Sequence, residues 1–113
     1  MRGEVHWVDF GDPVGSEPGQ RRPALVVQND AANMAASTTI VAVISSRLPS
    51  KPYPMHVRLP DGLLPKASVV KCEQLVTVDI EKRMPGAWDG PLATLDARTM
   101  RAVENALACI LDL

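Results

Sequence analysis

Apolar residues in this chain come in short, β-branched runs cut off by Pro, Gly and Ser, and only the last segment repeats them at helical spacing. Ala24 to Val27 follows Pro23 and stops at Gln28-Asn29-Asp30, and Thr38 to Ile44 stops at Ser45-Ser46. Continuous apolar runs of this length between turn signals fit strands buried on both faces. Pro23 then stands at a strand's first position, where no ladder N–H is needed. Glu4 to Phe10 alternates Val5 and Trp7 with His6 and Val8, which predicts another strand. Met55 to Leu59, ended by the Pro60-Asp61-Gly62 turn, and Ser68 to Lys71 and Leu75 to Val78 add three short ones. Asp30 to Ala36 has room for one or two helical turns. From Asp96, a candidate N-cap, Met100, Val103, Leu107, Ile110 and Leu111 recur at spacings of three and four and form one stripe of an amphipathic helix. Strands closed by one helix, without βαβ alternation, predict a mainly β, α+β fold: a small antiparallel barrel or strongly coiled sheet with the C-terminal helix packed on it.

The length of 113 residues suits one domain over 1–113, and 46% hydrophobic with 22% charged residues is ordinary for a folded chain. No apolar run approaches the roughly 20 residues of a membrane span, and the start MRGEVHWVDF carries acids unlike a signal peptide, so the expected address is cytoplasmic, away from membranes. Cys72 and Cys109 lie in different kinds of segment and suggest two inert thiols, not a disulfide framework. His6 and His56 have no Cys, Asp or Glu at metal-ligand spacing, so neither a metal nor a cofactor is expected. The net charge of −1 conceals a gradient: residues 1–19 sum to −3, residues 20–88 to +4 and residues 89–113 to −2. The central excess is where a polyanion would bind, although a solvated basic face would look the same.

Three constellations could carry chemistry. Gly15 to Pro23 crosses the surface, since residues 11–21 hold three Gly and two Pro, and it brings Glu17, Arg21 and Arg22 to the start of a buried strand. Arg22 abuts Pro23, so its fork is anchored well enough to aim at a phosphate; the plain alternative is a solvated Arg or an Arg22–Glu17 ion pair. Ser45 and Ser46 end the next strand, where hydroxyls can donate to phosphate oxygens or merely close a turn. Lys71 and Glu73 alternate along Lys71-Cys72-Glu73-Gln74, which puts them on one strand face, with a cross-strand ion pair as the plain reading. His56 on a strand is expected to satisfy a local hydrogen bond sooner than to shuttle a proton.

The stretches GEVHWVDF, VGSEPG, RRPALVVQND, IVAVIS, PMHVRL and SVVKCEQLVTVD, in this order and spacing, resemble the MazF/PemK (Kid-like) family of toxin endoribonucleases from about Arg2 to the terminal helix. The resemblance implies an SH3-like barrel and a homodimer with single-stranded RNA in grooves at its interface. It also implies a MazE-like antitoxin whose tail covers the same surface. It implies Arg22 and Ser45 as the main catalytic groups and Glu17 as the loop acid, acting as base or orienting Arg22. Arg21, Ser46, Arg47, Lys51, His56, Lys71 and Glu73 are the candidate RNA contacts. Ser45 stands where the family usually has Thr, Lys71 and Glu73 where some members have Arg and Asp, and Val76 where many have Arg. The first departure frees χ1 and the second replaces a fork by a point charge. RNA supplies its own nucleophile, the 2′-OH, so in-line attack needs no metal and leaves a 2′,3′-cyclic phosphate and a 5′-hydroxyl. Trp7, Phe10 or Tyr53 are the aromatics available to stack on bases, and loop residues 46–54 and 60–67 would set the cut sequence. Two rivals share the fold: a CcdB-like toxin that poisons gyrase by binding it, and an inactive member that binds RNA or protein.

Overall fold

A computed structural model describes residues 1–113. Its strands are β1 (Glu4–Asp9), β2 (Arg21–Val26), β3 (Thr38–Ser45), β4 (His56–Arg58), β5 (Val69–Asp79) and β6 (Ala93–Thr94). Its helices are α1 (Asp30–Ala35), α2 (Ile80–Arg83) and α3 (Ala97–Leu111). The six strands form one sheet in the order β4-β5-β3-β2-β1-β6, and every recorded pairing is antiparallel. The fold is thus a curled half-barrel with helices, as the strand-rich pattern with one terminal helix predicts.

Alternation along the strands sorts side chains onto two faces. On one, Val5, Leu25, Ala42, Ile44, Val57, Val70 and Cys72 gather with Val103 and Ala106 of α3 into a single buried cluster. Five strands supply that cluster, so the sheet must coil around the helix to bury it. Asp96 caps α3 by accepting from Thr99 N at 2.8 Å, as its place before the apolar stripe predicts. On the other face Val8, Ala24, Val26, Val41 and Val78 are covered by Ile80, Met84 and Ala87. That cover, from α2 and the turn after it, reaches only part of the second face. The expected two strands at Ser68–Lys71 and Leu75–Val78 are one strand, β5, interrupted by a bulge. Val43 faces Lys71 and Ala42 faces Leu75, which leaves Cys72 to Gln74 without partners on β3. A three-residue excess tilts the strand locally without ending it. No helix is long and apolar enough to cross a membrane.

A candidate RNA groove on the uncovered face

The sequence places Arg21 and Arg22 at the end of a surface loop, but both belong to β2: Asp9 faces Arg21 and Val8 faces Arg22. Ladder bonds extend the strand past Pro23, which escapes conflict because pairing to β3 starts only at Ala24↔Val43. This correction separates the two arginines. Neighbouring strand residues point to opposite faces, and Arg21 leans on the Trp7 ring, its Cζ 5.3 Å from the centroid. Arg22 shares the Val8–Ala24 face. Trp7, 38% exposed, and Phe10, packed on the second core cluster, are therefore occupied elsewhere, leaving Tyr53 as the candidate stacker near the groove.

The β2–β3 register, continued two residues beyond Ala24↔Val43, sets Arg22 opposite Ser45. Ser45 faces Val69, which faces Arg58; one step inward Val43 faces Lys71, which faces His56. Two rows of one sheet face thus bring together Arg22, Ser45, Lys71, His56 and Arg58 beyond the edge of the second core cluster. Between β4–β5 and the loop lies a groove of about 260 Å³ lined by Leu48 to Tyr53, His56, Arg58 and Val69. Lys51 belongs to that wall, while Ser46 and Arg47 are exposed at the exit of β3.

Local bonds leave the phosphate-seeking groups available. Arg22 spends Nε on the Gly19 carbonyl at 2.9 Å, and its Nη groups have no partner within the chain. Gly19 suits this role because an added Cβ would stand 2.5 Å from Pro13 Cδ. Ser45 Oγ accepts from Arg47 N at 3.1 Å, so its own hydrogen remains to be donated. Glu17 does not pair with Arg22. Its carboxylate accepts from Val14 N at 3.0 Å while its amide donates to the Val14 carbonyl at 3.1 Å, which closes the turn ahead of Gly19. Glu73 makes the cross-strand pairing of the plain reading: the β5 bulge carries its carboxylate to His56 Nε2 on β4, 2.9 Å away, while Lys71 has no acidic partner. Arg58 escaped the sequence reading, although its position two residues after His56 on a strand places it on the same face. Its pairing with Asp61, at 3.4 Å between exposed side chains, leaves it available to solvent or a ligand.

A second depression, about 420 Å³, lies near α1 and α2 and is lined by Ala36, Ser37, Asp79, Ile80, Glu81 and Trp88. It offers two carboxylates and no cation, which opposes a phosphate chain. The groove lined by Lys51, His56 and Arg58, on the sheet face that also carries Arg22, Ser45 and Lys71, has the opposite character and is the one a polyanion would enter.

Residues 1–111 match the family model for the PemK-like, MazF-like toxin of type II toxin–antitoxin systems. The chain is 36% identical over 115 residues to the endoribonuclease MazF6 of Mycobacterium tuberculosis, covering 99% of this chain and 96% of that one. It matches the endoribonuclease MazF2 of Mycobacterium bovis to the same degree. The crystal structure of MazF from Deinococcus radiodurans superposes with a TM-score of 0.80 at 28% identity, covering 99% of this chain and 96% of that chain. A MazE–MazF structure from the same organism does so at 0.77 and 28%, covering 99% and 95%.

Proposed function

The chain belongs to the PemK-like, MazF-like toxin family, and on that premise we propose that it is the toxin of a type II toxin–antitoxin pair that cuts single-stranded RNA in the cytoplasm. The observation that carries this reading is the β2–β3 register, which ends at Ala24↔Val43 and, continued by two residues, supports a pairing of Arg22 with Ser45 on a sheet face that also carries Lys71, His56 and Arg58. Endoribonuclease relatives at 36% identity over nearly the whole chain support it against the gyrase-binding alternative.

Cleavage requires the ribose 2′-oxygen to attack the adjacent phosphorus while the 5′ oxygen departs, so negative charge grows on the phosphate oxygens. Arg22, fixed at Nε, directs its Nη donors at that charge. Ser45 donates its hydroxyl hydrogen to a phosphate oxygen. Glu17 closes the turn that presents the Gly19 carbonyl to Arg22 and so orients the guanidinium. Lys51, Arg58 and Lys71 draw in the strand, while Arg47 and Ser46 extend the track beyond β3. A MazE-like antitoxin occupies the same basic surface and excludes RNA; the MazE–MazF pairs of Deinococcus radiodurans supply the precedent for such a partner.

Incubation of purified protein with long single-stranded RNA in excess chelator tests the reading. Discrete fragments ending in 2′,3′-cyclic phosphate are expected. Intact RNA would point instead to the inactive, binding-only alternative that Ser45, Lys71 and Val76 raise.

A further inference from the structure

The His56 ring is held from one side and unused on the other. Nε2 lies 2.9 Å from Glu73 Oε2, and a carboxylate only accepts, so Nε2 carries the hydrogen. Nδ1 of the neutral ring is then a bare lone pair, and it has no hydrogen-bond partner although it is buried. A buried polar atom without a partner is uncommon in a folded chain and calls for a reason. The side chain is only 12% exposed and sits against Tyr53, edge to face at 5.3 Å between ring centroids and 69° between planes. The local hydrogen bond expected of this histidine thus exists, but it uses one nitrogen and leaves the other beside the groove.

We propose that His56 is the general base of the cleavage, with Glu73 as its positioning residue; the proposal rests on the RNA-cutting reading above. A strand of RNA that parts the 48–53 wall from the β4–β5 surface brings a ribose to Nδ1. The 2′-OH gives its proton to Nδ1 as the O2′–P bond forms and the P–O5′ bond breaks. Water at the groove mouth protonates the departing 5′ oxygen, and Nδ1 later returns its proton to solvent. Glu73 fixes the tautomer before the step and faces the imidazolium after it, the arrangement by which a carboxylate sustains a histidine base. The other charged or titratable groups around the ring are Lys71 on β5, Tyr53 and Lys51 on the loop, and Arg58 on its own strand. Helix α3 packs on the opposite, Val57 side. Glu17, tied into its loop turn, has no comparable free geometry.

The test measures kcat/KM against pH on a single-stranded RNA for the parent, His56→Gln, Glu73→Gln and Arg22→Ala, with affinity read separately on a 2′-O-methyl copy. His56→Gln is expected to lose about 10²-fold in kcat/KM at unchanged affinity, and to lose the acid-side limb on which the parent's activity rises with pH. Glu73→Gln can donate to Nε2 and force the wrong tautomer, so a drop of at least about tenfold is expected. Imidazole ¹⁵N shifts of the uncut protein, a readout independent of activity, should show a protonated Nε2 and a bare Nδ1. A His56→Gln protein that cuts at the parent's rate, or whose loss lies entirely in affinity with the parent's pH profile, overturns the proposal. So does an Nδ1–H tautomer. A parent that leaves RNA uncut refutes the nuclease reading itself, whereas cutting that needs Arg22 but not His56 refutes only this inference.

Discussion

Arg22 and Ser45 differ in what they can lose. Arg22 is anchored through Nε, so Arg22→Ala removes both Nη donors while the ladder of β2, made by backbone groups, persists. Cleavage should fall about 10²-fold or more, the scale of deleting one donor to a developing oxyanion, with an unchanged circular dichroism spectrum; equal rates would remove Arg22 from the site. At Ser45 the hydroxyl matters and the size does not, so Ser45→Thr should cut at least as well as the parent and Ser45→Ala poorly. An active Ala variant would reduce Ser45 to a strand-end residue. The cysteines diverge for a different reason. Burial in the core, with Glu73 adding to it, raises the Cys72 thiol to about 11, while Cys109 is exposed on α3. The thiolate is the reactive form, so iodoacetamide near neutral pH should label one cysteine in the folded protein and two in denaturant. Two labels on the folded protein would contradict the burial of Cys72.

Among the elements, α1 is tied to the start of the chain. Asp30, its first residue, accepts from Arg2 N at 2.9 Å and lies 3.1 Å from the terminal ammonium. Its carboxyl is held down at about 2 from 3.8, first by the Arg2 N–H, then by the terminal amine and Asn33. A folded-state value below the unfolded one stabilises above the unfolded value and ceases to do so as pH falls through the folded one. Asp30→Asn should therefore melt below the parent near neutral pH, and the gap should close as pH approaches about 2. A gap that persists there would show that the substitution acts through packing. β5 makes a parallel point about register: had it stayed regular, Glu73 would follow Lys71 along the β3 ladder, and the bulge instead delivers its carboxylate to His56.

At the scale of the whole molecule, the apolar stripe of α3 is only half used. Val103 is fully buried, but Ile110 and Leu111 are 38% and 51% exposed, and Leu113 just past the helix is 91% exposed. Apolar residues clustered at one end of a helix favour a partner surface. Together with the family, this leads to the expectation of a symmetric homodimer, with RNA grooves shared across its interface. Sedimentation should give twice the chain mass, and a fully active monomer would refute shared grooves. Binding of RNA and of an acidic antitoxin to the basic face should weaken as salt rises, because released counterions and screened charges supply much of the affinity; salt-insensitive binding would move the contact away from Arg22, Lys51, Arg58 and Lys71.

Periodicity and punctuation in the sequence determined the local elements: the apolar runs that become β2 and β3, the Asp96 cap and the α3 stripe, and the surface course of residues 11–20. These are set by neighbours a few residues apart, whose spacing alone decides which side chains share a face. The resemblance carried Arg22 and Ser45 together, but it is the β2–β3 register, continued past Ala24↔Val43, that puts them on one sheet face, and sequence spacing does not encode such a register. Tertiary structure likewise parted Arg21 from Arg22, withdrew Trp7 from the groove, merged two expected strands into β5 and placed Arg58 beside His56. Each of these depends on which strand lies next to which and on a three-residue bulge. Those outcomes follow from burying the α3 cluster and the α2 cluster at once on opposite faces of one sheet. No local segment contains the information that fixes how two such layers share a single curvature.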